Sequence, residues 1–231
     1  MMDKTSPRPS TLDTRPPIPD TRHSSASPTP TIHVVDDDAS FRTAVTRLLR
    51  AAKYEVRGYG SASEFLDSDP CAEPGCILLD LRMPGASGLD LQQSLERMEK
   101  RLPIIFLTGH GDIPASVRAM KAGAVDFLTK PVRREALLRA IQNALGVDAK
   151  GRAARAVLLE LHNRYETLTP REREVLAHVL GGKLNKQIAS DLGTAERTIK
   201  AHRASIMSKL GAQSVAELAR LAQELGIEPI R

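Results

Sequence analysis

Thr31-Ile32-His33-Val34-Val35-Asp36-Asp37-Asp38 is a short apolar run that ends abruptly in three carboxylates. It is too brief for a helix and lacks the polar alternation of a half-exposed strand. It therefore predicts a strand buried on both faces. Ile104–Leu107 has the same texture, and three further β-rich runs occur at Tyr54–Tyr59, Cys76–Leu79 and Asp126–Leu128. Segments of helical periodicity separate the five. Ala39–Ala52 sets Val45, Leu48 and Leu49 on one face, and Ser61 with Glu64 forms a capping box ahead of Phe65 and Leu66. Leu89–Met98, Ile113–Ala122 and Glu135–Leu145 complete the series. Strict alternation of strand and helix predicts an α/β domain over residues 31–146, a doubly wound parallel sheet of five strands.

On either side of this block the texture changes. Residues 1–30 hold seven of the chain's fifteen prolines, many Ser and Thr, and almost no apolar side chains. Such a segment buries too little surface to offset its ordering entropy and is expected to be a disordered tail. Residues 147–166 are Ala-rich and charged, with Val157, Leu158, Leu161 and Tyr165 at helical spacing. They predict a linker helix, either a plain spacer or a dimerisation surface. After Leu168 the strands vanish. Thr169-Pro170-Arg171-Glu172 is a helix start with a Thr cap, Pro in the first turn and Glu at the capping-box position. Helices at about Pro170–Val179, Lys186–Leu192, Ala195–Leu210 and Gln213–Leu225 follow, divided by Gly181-Gly182, Gly193 and Gly211. Residues 167–231 thus predict a small all-α domain.

Composition excludes several classes. With 231 residues, 41% hydrophobic and 26% charged, the chain reads as globular, and no apolar run is long enough to span a membrane. The polar, proline-rich start is the wrong composition for a signal peptide. Cys71 and Cys76 are too few for a disulfide framework or a zinc site and read as thiols in a reducing cytosol. A net charge of +5 permits a polyanionic partner without requiring one.

Ligands of a doubly wound sheet bind beyond the carboxyl ends of its strands. Those ends carry Asp36-Asp37-Asp38, Asp80, Thr108, and Lys130 followed by Pro131. Carboxylates held together repel, and a hard divalent cation such as Mg²⁺ relieves that repulsion. A carboxylate facing Mg²⁺, with an ammonium and a hydroxyl nearby, suits in-line attack on phosphorus.

Val34-Val35-Asp36-Asp37-Asp38, Leu79-Asp80-Leu81-Arg82-Met83-Pro84-Gly85, Thr108-Gly109-His110-Gly111-Asp112 and Lys121-Ala122-Gly123-Ala124-Val125-Asp126-Phe127-Leu128-Thr129-Lys130-Pro131 resemble the receiver domains of two-component response regulators, the FixJ-like group above all. The resemblance implies a flavodoxin-like fold with Asp80 as phosphoacceptor. Asp37, Asp80 and the backbone carbonyl of Arg82 would bind Mg²⁺, with Asp36 acting mostly through water. Lys130, aimed by a cis bond to Pro131, would pair with phosphoryl oxygens. Thr108 would hydrogen-bond the phosphate, and Phe127 would turn inward into the vacated space.

The C-terminal segment has ten Lys/Arg against seven Asp/Glu, only mildly basic, so arrangement says more than charge. Asn185–Leu192, a turn at Gly193-Thr194 and a longer helix from Ala195 have the shape of a helix-turn-helix. Ile199, Ile206 and Leu210 form its core face. Ala201, Ala204 and Ser208 lie opposite, small enough to admit base edges, flanked by Arg197, Lys200 and Ser205. Lys200 can reach a guanine edge or a phosphate. Lys186, Thr198, Arg203 and Lys209 suit phosphates, although Arg203 also sits close enough to the apolar stripe for a structural role. His202 reads as a packed or phosphate-facing histidine. Leu168–Leu176, Asn185–Ala189 and Arg197–Arg203 resemble the LuxR-type DNA-binding domain, whose last helix, here Gln213–Leu225, pairs two domains on a two-fold site.

The two resemblances together imply a cytoplasmic transcriptional response regulator. A sensor histidine kinase would phosphorylate Asp80, the chain would then form a homodimer, free its DNA-binding end, or both, and promoter DNA and RNA polymerase would be the targets. Two other readings remain. One is an interaction module whose helical end only oligomerises, opposed by the small polar face of Lys200, Ala201 and Ala204. The other is a phosphohydrolase, which would need a further acid or base that the sequence does not offer.

Overall fold

The computed structural model describes residues 29–69, 73–98, 102–109 and 113–230. Most of the expected N-terminal tail, Cys71 and His110-Gly111-Asp112 lie outside those residues.

Five strands, β1 (Thr31–Val35), β2 (Glu55–Tyr59), β3 (Gly75–Asp80), β4 (Ile104–Thr108) and β5 (Asp126–Thr129), form one sheet in the order β2-β1-β3-β4-β5. All pairings are parallel. Helices α1 (Ala39–Ala51), α2 (Ala62–Asp67), α3 (Gly88–Arg97), α4 (Ile113–Lys121) and α5 (Arg134–Glu166) cover the two faces. The two-residue period of the strands divides the core. Val35, Ile77, Leu79, Ile104 and Phe106 meet Phe65, Leu91, Leu95 and Ala115 of α2, α3 and α4. Ile32, Val34, Leu78, Ile105 and Leu107 meet Val45 and Leu49 of α1 and Leu137 and Ile141 of α5. The reversal of strand order falls between β1 and β3, and these strands carry Asp36 and Asp80 at their carboxyl ends.

Several boundaries differ from expectation for local reasons. β2 starts at Glu55, because the Tyr54 N–H is already committed to the Leu49 carbonyl at the end of α1 (3.1 Å). Asp80 and Thr108 are the last residues of their strands, so the ladder itself fixes their backbones. Only half of the expected capping box at Ser61 forms. The Ser61 hydroxyl accepts from the Glu64 N–H at 3.2 Å, but the Glu64 carboxylate turns to the N–H of Gly60 at 2.6 Å.

The largest difference concerns α5. The helix expected to end at Leu145 and the linker helix expected after it are one 33-residue helix running through Gly146 and Gly151. Each interior glycine costs roughly 1 kcal/mol of helix propensity, and tertiary bonds offset this. Buried Asp148 accepts from the Gly75 N–H at the start of β3 (3.0 Å) and from Arg152 Nε (2.8 Å), and Arg152 also donates to the Glu73 carbonyl. α5 is thereby fastened to the start of the central strand just where its own sequence is weakest.

The C-terminal domain packs α6 (Pro170–Leu180), α7 (Asn185–Asp191), α8 (Glu196–Leu210) and α9 (Val215–Glu224) around Val175, Leu176, Ile188, Ile199, Ile206, Leu210 and Leu218. At Thr169 both capping-box bonds form, at 3.2 and 2.7 Å. Gly193 and Gly211 take φ of 60° and 72°, left-handed values that turn the chain between α7 and α8 and end α8. Tyr165 near the end of α5 packs on this core and under the Arg173 guanidinium, 4.7 Å from its ring centre. No helix of the described residues is long and apolar enough to cross a membrane.

Candidate functional site

The switch point of the sheet brings Asp36 and Asp37, just past β1, to the Asp80 end of β3. One ligand atom from each of the three lies within 4.8 Å of the others, the only such acidic group among the described residues. Asp36 is fully buried and Asp80 nearly so, while Asp37 is exposed. Lys130, one residue past β5, closes the group: its Nζ donates to Asp36 Oδ2 at 2.5 Å and to Asp80 Oδ2 at 3.0 Å. Its backbone N–H is held by the Thr108 carbonyl at 2.6 Å, and the bond to Pro131 is cis. The Arg82 N–H donates to Asp80 Oδ1 at 3.3 Å, so the chain after β3 folds back over the carboxylate. Thr108 is buried beside this group, and half-buried Phe127 packs against the α2–α4 core.

Three carboxylates face one ammonium here. Burial raises the Asp36 carboxyl above its ordinary range; the bonds from Lys130 pull it back, and the Asp80 charge adds to the rise. Lys130 is also raised, its bonds to the two aspartates outweighing the desolvation that opposes its charge. The donor set is all oxygen with excess negative charge, and one acid is open to solvent. That is the chemistry of a site for a hard divalent cation such as Mg²⁺.

Three supporting residues escaped the sequence reading. Arg42 on α1 donates through Nη1 to the Asp36 carbonyl at 2.5 Å. The Phe41 ring lies 4.1 Å from Lys130 Nζ and shields one side of the ammonium. Gly88, the first residue of α3, sits so close to the Asp80 carbonyl that a Cβ there would collide with it and touch Phe106. Its place just after the Ser87 cap was the available signal. Arg42 and Phe41 offered none, since their roles depend on how α1 lies over the sheet.

In the C-terminal domain, Ile199, Ile206 and Leu210 are buried, while Arg197, Lys200, Ala201, Ala204 and Ser208 are exposed along α8. Lys186 is exposed on α7, and Thr198 and His202 are half-buried. Two of the residues read as phosphate contacts carry structural bonds. Arg203 Nη1 donates to Asn185 Oδ1 at 2.9 Å, tying α8 to α7. Lys209 Nζ donates to Glu172 Oε2 at 2.7 Å and to the Thr167 carbonyl at 3.0 Å. Glu172 is buried and also accepts from Ser205 at 2.6 Å. Lys209 foremost, then Ser205 and Thr169, hold its carboxyl down to about 2. Nothing in the sequence around Lys209 separated this role from a phosphate contact, because its partner lies on another helix.

Comparison with known proteins finds two families along the chain. Residues 32–142 match the family described as "Response regulator receiver domain", and residues 166–222 match "Bacterial regulatory proteins, luxR family". Nodulation protein W of Bradyrhizobium diazoefficiens is 47% identical over 89% of this chain and 90% of its own length. The response regulator protein TodT of Pseudomonas putida is 45% identical over 84% and 86%. Among solved structures, the response regulator StyR superposes with a TM-score of 0.74 at 47% identity, over 85% of this chain and 99% of its own. Full-length FixJ from B. japonicum gives 0.53 at 39% identity, over 86% and 98%.

Proposed function

The chain belongs to the transcriptional response regulators that join a receiver domain to a LuxR-type DNA-binding domain, and from that premise we propose that Asp80 is its phosphoacceptor and α8 its DNA-reading helix. A regulator of this build implies a kinase partner and promoter DNA. The observation that carries the phosphoacceptor reading is the bridge of Lys130 between Asp36 and Asp80, with Asp37 open beside it.

Asp36, Asp37, Asp80 and the backbone carbonyl of Arg82 would hold Mg²⁺, which the receiver family typically binds and which offsets charge on the transferred phosphoryl group. An Asp80 carboxylate oxygen attacks the phosphorus of the sensor kinase's phosphohistidine. The P–N bond breaks, imidazole departs, and an acyl phosphate forms on Asp80. Lys130 then exchanges its bond to Asp80 for one to the new phosphoryl oxygens. The Thr108 hydroxyl supplies another, and Phe127 moves into the space that Thr108 leaves. The same residues serve loss of the group to water, so the receiver sets its own rate of dephosphorylation.

We place the receiver at residues 31–146, the connecting stretch of α5 at 147–166 and the DNA-binding domain at 167–231. Lys200, Ala201 and Ala204 would meet base edges, with Lys186 and Thr198 on phosphates. Arg203 and Lys209 would act there chiefly by holding α8 in place. Because the outer face of α8 is already open to solvent, activation proceeds by homodimerisation of phosphorylated chains rather than by uncovering that face. The dimer then binds a two-fold operator and presents itself to RNA polymerase in the cytoplasm. Incubation with Mg²⁺ and a small acyl-phosphate donor tests this. The parent should gain one phosphoryl mass and dimerise by light scattering, and Asp80→Asn should do neither; uptake by the variant would overturn the assignment.

A further inference from the structure

At the end of the receiver opposite Asp80, a cavity of about 410 Å³ opens between α3, the start of β4, the α4–β5 turn and α5. Leu95, Ile104 and Val147 give it an apolar wall, and Glu96 and Arg155 also line it. Its lining includes two polar side chains that are about 95% buried, Gln92 and Asp148. Each has one oxygen, Gln92 Oε1 and Asp148 Oδ1, without a hydrogen-bond partner.

Neither oxygen is free to be something else. Gln92 Nε2 donates to the carbonyls of Ala119 (3.3 Å) and Ala122 (2.8 Å), so reversing the amide would set oxygen against oxygen. Asp148 commits Oδ2 to the Gly75 N–H and to Arg152 Nε, which leaves Oδ1 over. An unsatisfied buried acceptor loses the hydrogen bonds it makes to water in the unfolded chain, which is a cost to the fold. Two on residues of one cavity wall, both acceptors and one of them a carboxylate oxygen, suit a ligand that donates more than one N–H.

We propose that this cavity binds a small organic cation, an amidinium or guanidinium on a compact apolar body. Its N–H groups meet Gln92 Oε1 and Asp148 Oδ1, and its body meets Leu95, Ile104 and Val147. Both oxygens are closed off from solvent, so binding requires the Gln92 and Asp148 side chains to turn toward the cavity. The site joins α3 to the stretch of α5 that leads to the DNA-binding domain. Occupancy would therefore strengthen the seat of α5 on the receiver, independently of Asp80.

Benzamidine is the probe, with neutral, isosteric benzamide as control, titrated calorimetrically into the full chain. Asp148 is a poor residue to replace, because its other oxygen fastens α5. Val147→Trp obstructs the cavity from a half-exposed position, and in a chain without tryptophan it also reports folding by its fluorescence. The expected result is saturable binding of one benzamidine, at least tenfold weaker binding of benzamide, and at least tenfold loss in a folded Val147→Trp. No saturable benzamidine binding at millimolar concentration, equal binding of benzamide, or unchanged binding by Val147→Trp would each overturn the proposal.

Discussion

Each half of the chain buries acid against a lysine that arrives from far along the sequence. In the receiver, Lys130 reaches back to Asp36 and Asp80; in the DNA-binding domain, Lys209 reaches back to Glu172. The geometry is alike, and the charge balance is opposite. In the first, one ammonium bonds two carboxylates with a third beside them, and burial drives Asp36 upward. One ammonium serves one carboxylate in the second, hydroxyls of Ser205 and Thr169 complete the set, and Glu172 falls to about 2. A balanced buried pair is a fastening. An unbalanced one has negative charge to spare for a cation, and stability alone gives no reason to keep it.

The contrast predicts its own failures. Lys209→Met strands Glu172 without its counter-charge and removes the bond to the Thr167 carbonyl, and should cost the C-terminal domain about 1.5–3 kcal/mol, read as a lower urea midpoint for that domain in the full chain. A loss below 1 kcal/mol would mean the pair is not a fastening. Mg²⁺ at a hundredfold its dissociation constant should stabilise the receiver by about 2.7 kcal/mol and leave the other domain unmoved. Asp37→Asn should weaken that gain, and equal stabilisation of both domains would erase the distinction.

Titration without Mg²⁺ separates the two by sign. Glu172 is depressed in the fold, so its contribution is complete above about 4.5 and is lost as pH falls toward about 2. After solvent screening this is on the order of 1–2 kcal/mol, and Glu172→Gln should flatten it. Asp36 is raised, so its contribution is present at low pH and is lost as pH climbs through its folded value. Urea midpoints of the two domains measured against pH would show both slopes, and parallel slopes would contradict the assignment. The smallest effect concerns a lysine outside either knot. Lys186→Ala should lower the salt slope of DNA binding by about 0.9, and an unchanged slope would remove Lys186 from the interface.

The same contrast explains what could be read in advance. Asp36, Asp80, Thr108 and Lys130 were legible because a strand's end is a local property and the alternation of elements gathers such ends on one rim. Ile199, Ile206 and Leu210 were legible from helical period alone. Arg203 was legible in part, since its place beside the apolar stripe already allowed a structural role; Lys209 was not, because a lysine bound to Glu172 and one bound to a phosphate have the same neighbours in sequence. Gly146 read as a break between two helices, yet α5 runs through it, and through Gly151, because Asp148 and Arg152 hold it to Gly75 and Glu73. Glu64 and Gly60 show the same limit at short range, since a capping carboxylate chooses between adjacent N–H groups by geometry that spacing does not contain.

An uninterrupted α5 also makes the length of its sequence an angular variable. Each residue inserted or removed between Leu145 and Leu161 turns the DNA-binding domain by about 100° about the helix axis and moves it only about 1.5 Å along it. Two such domains in a dimer must meet the two half-sites of an operator from matching directions. One residue is then a large error in phase though a trivial one in distance. Seven residues nearly restore the original direction, to within about 20°. Viable changes in this stretch should therefore come in steps close to whole pairs of turns, as they would in a threaded shaft whose two ends must keep their orientation.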